Sequence, residues 1–212
     1  MRVDAQRNRE RLLLAARDVF VDLGADAPLD EIARQAGVGI ATLYRRFAVR
    51  EALMRAVAVH VLTEMGIEAR AARDEEADPF AALSRYLRRA LDLRIAAVMP
   101  VLGLRLDLEH DDEVRRAREG VTPVYERIVA AAHASGQLRA DVGGGDIGMI
   151  LIRLSRPLAG AFPRELDNAT AHRQLELMLD GLRAGPAPGP SEGAEPDPGA
   201  PMTIDGLLRR LG

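Results

Sequence analysis

The sequence predicts an all-α protein: an N-terminal three-helix helix-turn-helix domain joined by a long helix to a second all-helical domain. Three observations lead there. Apolar residues recur at three- and four-residue steps along most of the chain, the period of one buried helix face. Clean period-two alternation, the mark of a half-buried strand, is scarce. Gly and Pro fall mostly between the periodic runs, where they stop or open helices.

The first helix is expected over about residues 7–23, with Leu12, Ala16, Val19, Phe20 and Leu23 inward and Gly24 as its stop. Pro28 opens a short helix over 29–36, its dipole complemented by Asp30 and Glu31. Leu29, Ile32, Ala33 and Ala36 face inward. Gly37-Val38-Gly39 breaks it, and a third helix over 40–47 buries Leu43 and Phe47. A fourth begins near Arg50 with Leu53, Val57 and Val61 inward, and the polar run 68–78 is expected to end it. Pro79 starts a helix carrying Phe80, Leu83, Leu87, Leu91 and Ile95, with a break near Pro100 and Gly103. A helix from Asp111-Asp112-Glu113 runs to about residue 134, and 136–145 is a loop. Apolar helices over 146–161 and 165–184 follow. The domains are thus 1–66 and 67–184, then a Pro/Gly-rich linker over 185–202 with little to bury. A short helix over 203–212 either docks on the body or hangs as an appendage.

Composition excludes several classes. There is no Cys, so disulfides, thiolate metal sites and Cys nucleophiles are absent. Charges stud the first 20 residues, leaving no secretory apolar core. The longest uncharged stretches are about ten residues, half a membrane span; a cytoplasmic protein without membrane contact is expected. His110-Asp111-Asp112-Glu113 reads as a solvated charge cluster rather than a metal site, because consecutive residues diverge around a helix start. No catalytic triad, phosphate loop or carboxylate pair stands out, and no cofactor or metal is expected. All 29 basic residues are Arg, most simply a compositional bias, and the net charge is −3. That total hides an asymmetry: residues 1–60 hold ten Arg against eight acids, net +2, and the remainder is net −5. A mildly basic end on an acidic chain is the footprint of contact with nucleic acid at one end.

The informative stretch is LDEIARQAGVGIATLYRRFAVREAL, residues 29–53. Two short helices joined by a Gly-containing three-residue turn make a helix-turn-helix. With Leu43 and Phe47 used for packing, Thr42, Tyr44, Arg45 and Arg46 are left outward in one patch, suited to phosphates and base edges. A lone Arg pair on a helix is ordinarily a solvated face; the joint spacing with the Gly turn and the packed apolar residues overturns that. Arg50 is poorly placed against the dipole at its helix start, which a phosphate partner would explain.

These residues resemble the DNA-binding domain of the TetR (tetracycline-repressor-like) family of bacterial regulators. The match lies in Phe20, Gly24, Ile32, Ala33, Ala36-Gly37-Val38, Thr42-Leu43-Tyr44, Phe47 and Arg50-Glu51-Ala52-Leu53, and covers about residues 7–65. The resemblance implies that Thr42 and Tyr44 contact the DNA backbone and that Arg45 or Arg46 reads a base. It implies that Arg50 contacts a phosphate and that Gly39, Ile40 and Ala41 bring backbone N–H groups close to another. Arg7, Arg9 and Arg11 would grip flanking phosphates or the minor groove. Ala48-Val49 and Pro28 depart from the family's more polar residues at those places, removing backbone contacts.

The resemblance further implies a homodimer on a palindromic double-stranded operator and a ligand-binding and dimerisation domain for an unknown small-molecule effector. Leu151, Leu154, Leu158, Leu175, Met178, Leu179 and Leu182, on the two last long helices, are the dimer candidates. Met65, Tyr86, Met99, Tyr125 and Met149 are candidates for lining a ligand pocket, with Arg94, His133 or Arg153 as polar anchors and Arg105 a further one. The function implied is a transcription regulator, most simply a repressor released by ligand. The alternatives are a constitutive or architectural DNA-binding dimer without an inducer, and a helical enzyme, for which no convergent catalytic set is visible.

Overall fold

The computed structural model describes residues 2–157 and 163–185 and positions 203, 204 and 206, with side chains from Gln6 onward. Helix α1 spans Arg2–Leu23, α2 Leu29–Ala36, α3 Ile40–Arg46 and α4 Arg50–Glu75. Helices α5 (Pro79–Asp92), α6 (Ile95–Gly103), α7 (Asp112–Glu119), α8 (Thr122–Ala134), α9 (Gly144–Leu154) and α10 (Arg164–Leu182) form the body. Among the described residues the only extended pairing is an isolated bridge between Leu138 and Arg183. None of the described helices is long and apolar enough to cross a membrane.

The head is α1–α3 packed on the first turns of α4. Phe20, Ile32, Leu43 and Leu53 are fully buried there, with Phe47 nearly so. Each stabilises the head by about 1.5–3 kcal/mol relative to exposure. The inward stripe of α1 ends one residue early: Leu23 is 59% exposed, since the chain turns away at Gly24 (φ +89°) and nothing described covers it.

Helix α4 does not end after Met65. Its polar run keeps the helical period, burying Ala69 and Ala72. The charges turn outward, where Arg85 of α5 pairs with Glu68 at 2.7 Å, Glu75 at 2.8 Å and Glu76 at 3.2 Å. The expected domain boundary at residue 66 therefore falls inside one continuous helix that packs against α1 in the head and α5–α8 in the body. Asp78 then caps α5, accepting from the Ala81 N–H at 2.6 Å, with Pro79 in the first turn.

Two further helices are split where the periodicity runs on. The break between α5 and α6 falls at Arg94, the one non-Gly residue with positive φ (51°) among those described. Its guanidinium meets Asp22 of α1 at 3.2 Å, so tertiary charge pairing holds a conformation that costs about 1–3 kcal/mol. The break between α7 and α8 falls at Gly120, whose carbonyl accepts from Arg70 at 3.3 Å. Here α4 passes so close that a Cβ at Gly66 would lie 3.2 Å from that carbonyl.

Candidate nucleic-acid interface and ligand cavity

The turn between α2 and α3 is built by its glycines. Gly37 takes the left-handed conformation (φ +66°), which glycine enters without steric cost. Its N–H donates to the Arg34 carbonyl at 3.1 Å, and the Val38 N–H reaches the Ala33 carbonyl at 3.0 Å. This paired pattern is a Schellman ending, and it fixes the direction in which the chain leaves α2. Gly39, in extended backbone, begins α3 with no side-chain cap.

Only Leu43 of α3 is buried; Ile40, Ala41, Thr42, Tyr44, Arg45 and Arg46 are all exposed. Tyr44 is 52% exposed, unusual for a phenol that packing alone would draw inward. Arg45 donates to the Thr42 hydroxyl at 3.1 Å, aligning the two on one face. Arg7, Arg9 and Arg11 follow one another on α1, Arg7 and Arg11 exposed and Arg9 half-buried, with Arg11 donating to Asn8 at 2.7 Å.

Arg50 has a different environment from the one expected. Its guanidinium donates to the Ala27 carbonyl at 2.6 Å and the Ala25 carbonyl at 3.1 Å. The unfavourable charge at the start of α4 is thus accounted for within the chain: Arg50 braces the loop between α1 and α2. Residues 25 and 27 lie too far away in sequence for local patterning to reveal such a partner.

In the body, helices α4–α9 enclose a cavity of about 620 Å³, within the size range of small-molecule sites. Tyr86, Met99 and Tyr125 line it, together with Arg105. The other pocket candidates lie elsewhere. Met65 is wholly buried in the α4 packing. Arg94 faces α1 in a smaller polar cleft of about 160 Å³. The His133 ring meets the Arg139 and Val142 carbonyls at 3.2 and 3.0 Å, ordering the α8–α9 loop. Half-buried Met149 and exposed Arg153 are on α9 away from the cavity. Lining residues that sequence alone did not single out include Leu62, Arg118 and Ile204. Ile204 also packs against the core, placing this position of the C-terminal segment at the cavity wall.

Tyr86 and Tyr125 stack with ring centroids 5.0 Å apart and planes at 26°. Burial pushes both phenols well above their ordinary range, so both stay neutral. The Tyr125 hydroxyl donates to the Gly144 carbonyl at 2.9 Å. The charge cluster expected to be solvated divides among separate partners. His110 meets Asp107 at 2.9 Å; Asp111 caps α7 and pairs with Arg55; Asp112 pairs with Arg115 at 2.7 Å.

Ion pairs and hydrogen bonds join body and head, one of them from the cavity wall. Arg105, on the cavity wall, pairs with Asp26 in the α1–α2 loop. Arg94 pairs with Asp22, and Arg17 of α1 donates to the Leu93 carbonyl at 3.5 Å.

Among the dimer candidates, Leu151, Leu175, Leu179 and Leu182 are buried within the chain, and Leu151 lines the cavity. Leu154 and Met178 are half-buried, and Leu158 lies outside the described residues. The apolar residues left outward on α10 are instead Leu166 (51% exposed) and Leu177 (55%).

Residues 12–57 match the family model described as bacterial regulatory proteins, tetR family, and residues 78–184 match that described as transcriptional regulator SbtR-like, C-terminal domain. Among solved structures the chain is similar to the TetR transcriptional regulator SCO0520 from Streptomyces coelicolor. That pair shares 31% identity over 84% of this chain and 99% of the other, with a TM-score of 0.57. A TetR transcription regulatory protein from Mycobacterium vanbaalenii is 34% identical over 86% and 98% of the two chains, with a TM-score of 0.55. The TetR-like regulator LfrR from Mycobacterium smegmatis, solved in complex with proflavine, shares the fold at 24% identity over 82% and 96%, with a TM-score of 0.56. No curated protein matches the chain.

Proposed function

The chain belongs to the TetR family of bacterial DNA-binding transcription regulators, and from that premise we propose that it is a homodimeric repressor released from a palindromic operator by a small-molecule ligand. The exposed patch on α3 carries this proposal: a short helix pinned by Leu43 presents Thr42, Tyr44, Arg45 and Arg46 together to the outside. Helix α3 enters the major groove. Thr42 and Tyr44 hold phosphates, Arg45 and Arg46 reach base edges or phosphates, and the N–H groups at Gly39–Ala41 approach the backbone. Arg7, Arg9 and Arg11 grip flanking phosphates. Arg50 acts indirectly, by fixing the loop on which α2 stands.

One such head offers too few contacts for tight specific binding, and a two-fold dimer places two heads on half-sites about one helical turn, or a multiple of it, apart. The outward face of α9 and α10 is the dimer surface in this proposal, with Leu166 and Leu177 at its centre and Leu154 and Met178 at its inner edge. Ligand in the body cavity shifts the spacing of the heads through α4, α6 and the Arg105–Asp26 link. It does so only to the extent that it binds the released state more tightly.

The test is to select binding duplexes from a random pool and titrate the recovered operator. The double variant Tyr44→Ala, Arg46→Ala is expected to lose at least about thirtyfold in affinity, each lost contact being worth about 1–3 kcal/mol. Its melting curve and its mass in solution should be unchanged. Wild-type affinity in that variant would remove the DNA-reading role of α3. Leu177→Arg should yield a monomer by light scattering; a dimer at micromolar concentration would relocate the interface.

A further inference from the structure

The cavity wall says something about what fills it, and the following rests on the ligand-release proposal above. Most of the wall is apolar, with Ile95, Met99, Leu151 and Ile152 on α6 and α9. Most of the charged and polar lining residues come from the α6–α7 segment, α7 and α8, and most are already engaged. Arg105 is held by Asp26 and Asp107 by His110. The Tyr125 hydroxyl is spent on the Gly144 carbonyl.

Two donors remain. Arg118, half-buried on α7, lines the cavity, and its side chain has no hydrogen bond or ion pair among the described residues. The Tyr86 hydroxyl, also on the wall, likewise makes no hydrogen bond there, and its phenol stays neutral and so keeps a proton to donate. A half-buried guanidinium on a largely apolar wall, without a protein partner, is left to water alone. An incoming anion satisfies it, and a charge-assisted hydrogen bond is strongest where water is thin. The other acid of the lining, Glu109, is exposed, where a cation would gain little over water.

We infer that the ligand is an amphipathic organic anion, a carboxylate whose head is taken by Arg118 and whose apolar body lies along Ile95, Met99 and Leu151. Arg118 follows the polar line of α7 and α8 that continues through Thr122 to Tyr125, so the head lies at the α7–α8 junction and the body runs toward α6 and α9. Tyr86 supplies a second donor on that wall.

The probes are decanoate, decanol and decylammonium, three heads on one chain, titrated calorimetrically into the full-length protein at pH 7 below their micelle concentrations. Decanoate is expected to bind at least about tenfold more tightly than the other two, the preference a charged hydrogen bond carries. Arg118→Gln should abolish that preference while leaving decanol binding as it was. The control Arg116→Gln, at an exposed neighbour on the same helix, should keep it. If Arg118→Gln melts early, the three-probe ranking on the wild type still decides. Equal or tighter binding of decanol or decylammonium, no binding of any probe, or an unchanged preference in Arg118→Gln overturns the assignment. Operator titration in the same samples separates the two levels. Decanoate bound in this pattern without releasing DNA supports the ligand class and refutes ligand release. DNA released by another compound, with no carboxylate preference, does the reverse.

Discussion

The head and the body are both helices packed on α4, yet they hold function in opposite ways. In the head, the proposed DNA-reading surface is what packing leaves over: Leu43 is consumed, and Tyr44, Arg45 and Arg46 remain on the outside. In the body, the proposed ligand site lies where packing stops, in a cavity bounded by residues from Leu62 to Ile204. A surface patch on a seven-residue helix is set by nearest neighbours. A cavity is a small shortfall of side-chain volume summed over several helices, and no one of them records it.

The largest expected effects test that contrast directly. Leu43 is wholly buried and anchors α3, so Leu43→Ala should cost about 2–5 kcal/mol in denaturant unfolding, transfer and cavity terms together. Met99 is half-buried with part of its surface toward the cavity, where it has no contacts to lose. Met99→Ala should therefore cost under about 2 kcal/mol. Equal losses at the two positions would break the comparison. Next comes the turn. A Cβ at Gly37 meets nothing within 4 Å, but φ is +66°, so Gly37→Ala pays backbone strain alone, about 1–2 kcal/mol. A cost near zero would mean that α2 can end in another way and that the head is less rigidly set.

These effects also separate what the sequence displays from what it hides. Gly37-Val38-Gly39, Leu43, Phe47 and the exposed patch are legible because turn chemistry and helix period act over a few residues. Helix ends governed by distant partners are not. Arg94 breaks α5 from α6 through an ion pair with Asp22, 72 residues away, and Arg70 meets the Gly120 carbonyl across 50. The intrachain acceptors of Arg50, Ala25 and Ala27, are backbone groups that leave no compositional trace. In the body, Tyr86, Met99 and Tyr125 could be picked as large residues on inward stripes, but the same stripes offered Met65, which packing filled completely. Arg118 gave no signal at all, since its meaning lies in lacking a partner.

A smaller effect links the two regions through pH. His60, half-buried on α4 where it passes α1, has its imidazole pushed below the ordinary 6.5 by burial. Glu64 and Glu10 oppose that shift, while Arg9 and Arg17 add to it. The folded state therefore disfavours the proton relative to the unfolded chain. Stability from this group is complete above pH 6.5 and declines as pH falls from there toward the lowered folded value. His60→Gln should flatten the fall in melting temperature between pH 7 and 5. An identical fall in the variant would assign the acid sensitivity to other groups.

The smallest effect on stability bears most directly on whether head and cavity work as one device. Arg105 and Asp26 are both substantially exposed, at 46% and 72%, and pairs of that kind contribute about 0–1 kcal/mol. Asp26→Asn should leave unfolding within that range and should leave α3, held independently by Leu43 and Phe47, free to bind the operator. What it removes is the one ion pair among the described residues that runs from the cavity wall to the α1–α2 loop, the loop that Arg50 holds from the other side. If this pair transmits occupancy, the variant binds DNA normally yet needs more ligand for the same release, because coupling is a difference in binding between two states and the pair exists to tell them apart. If release midpoints coincide in wild type and variant, coupling runs through the packed helices α4 and α6 alone, and the surface pair is incidental to it.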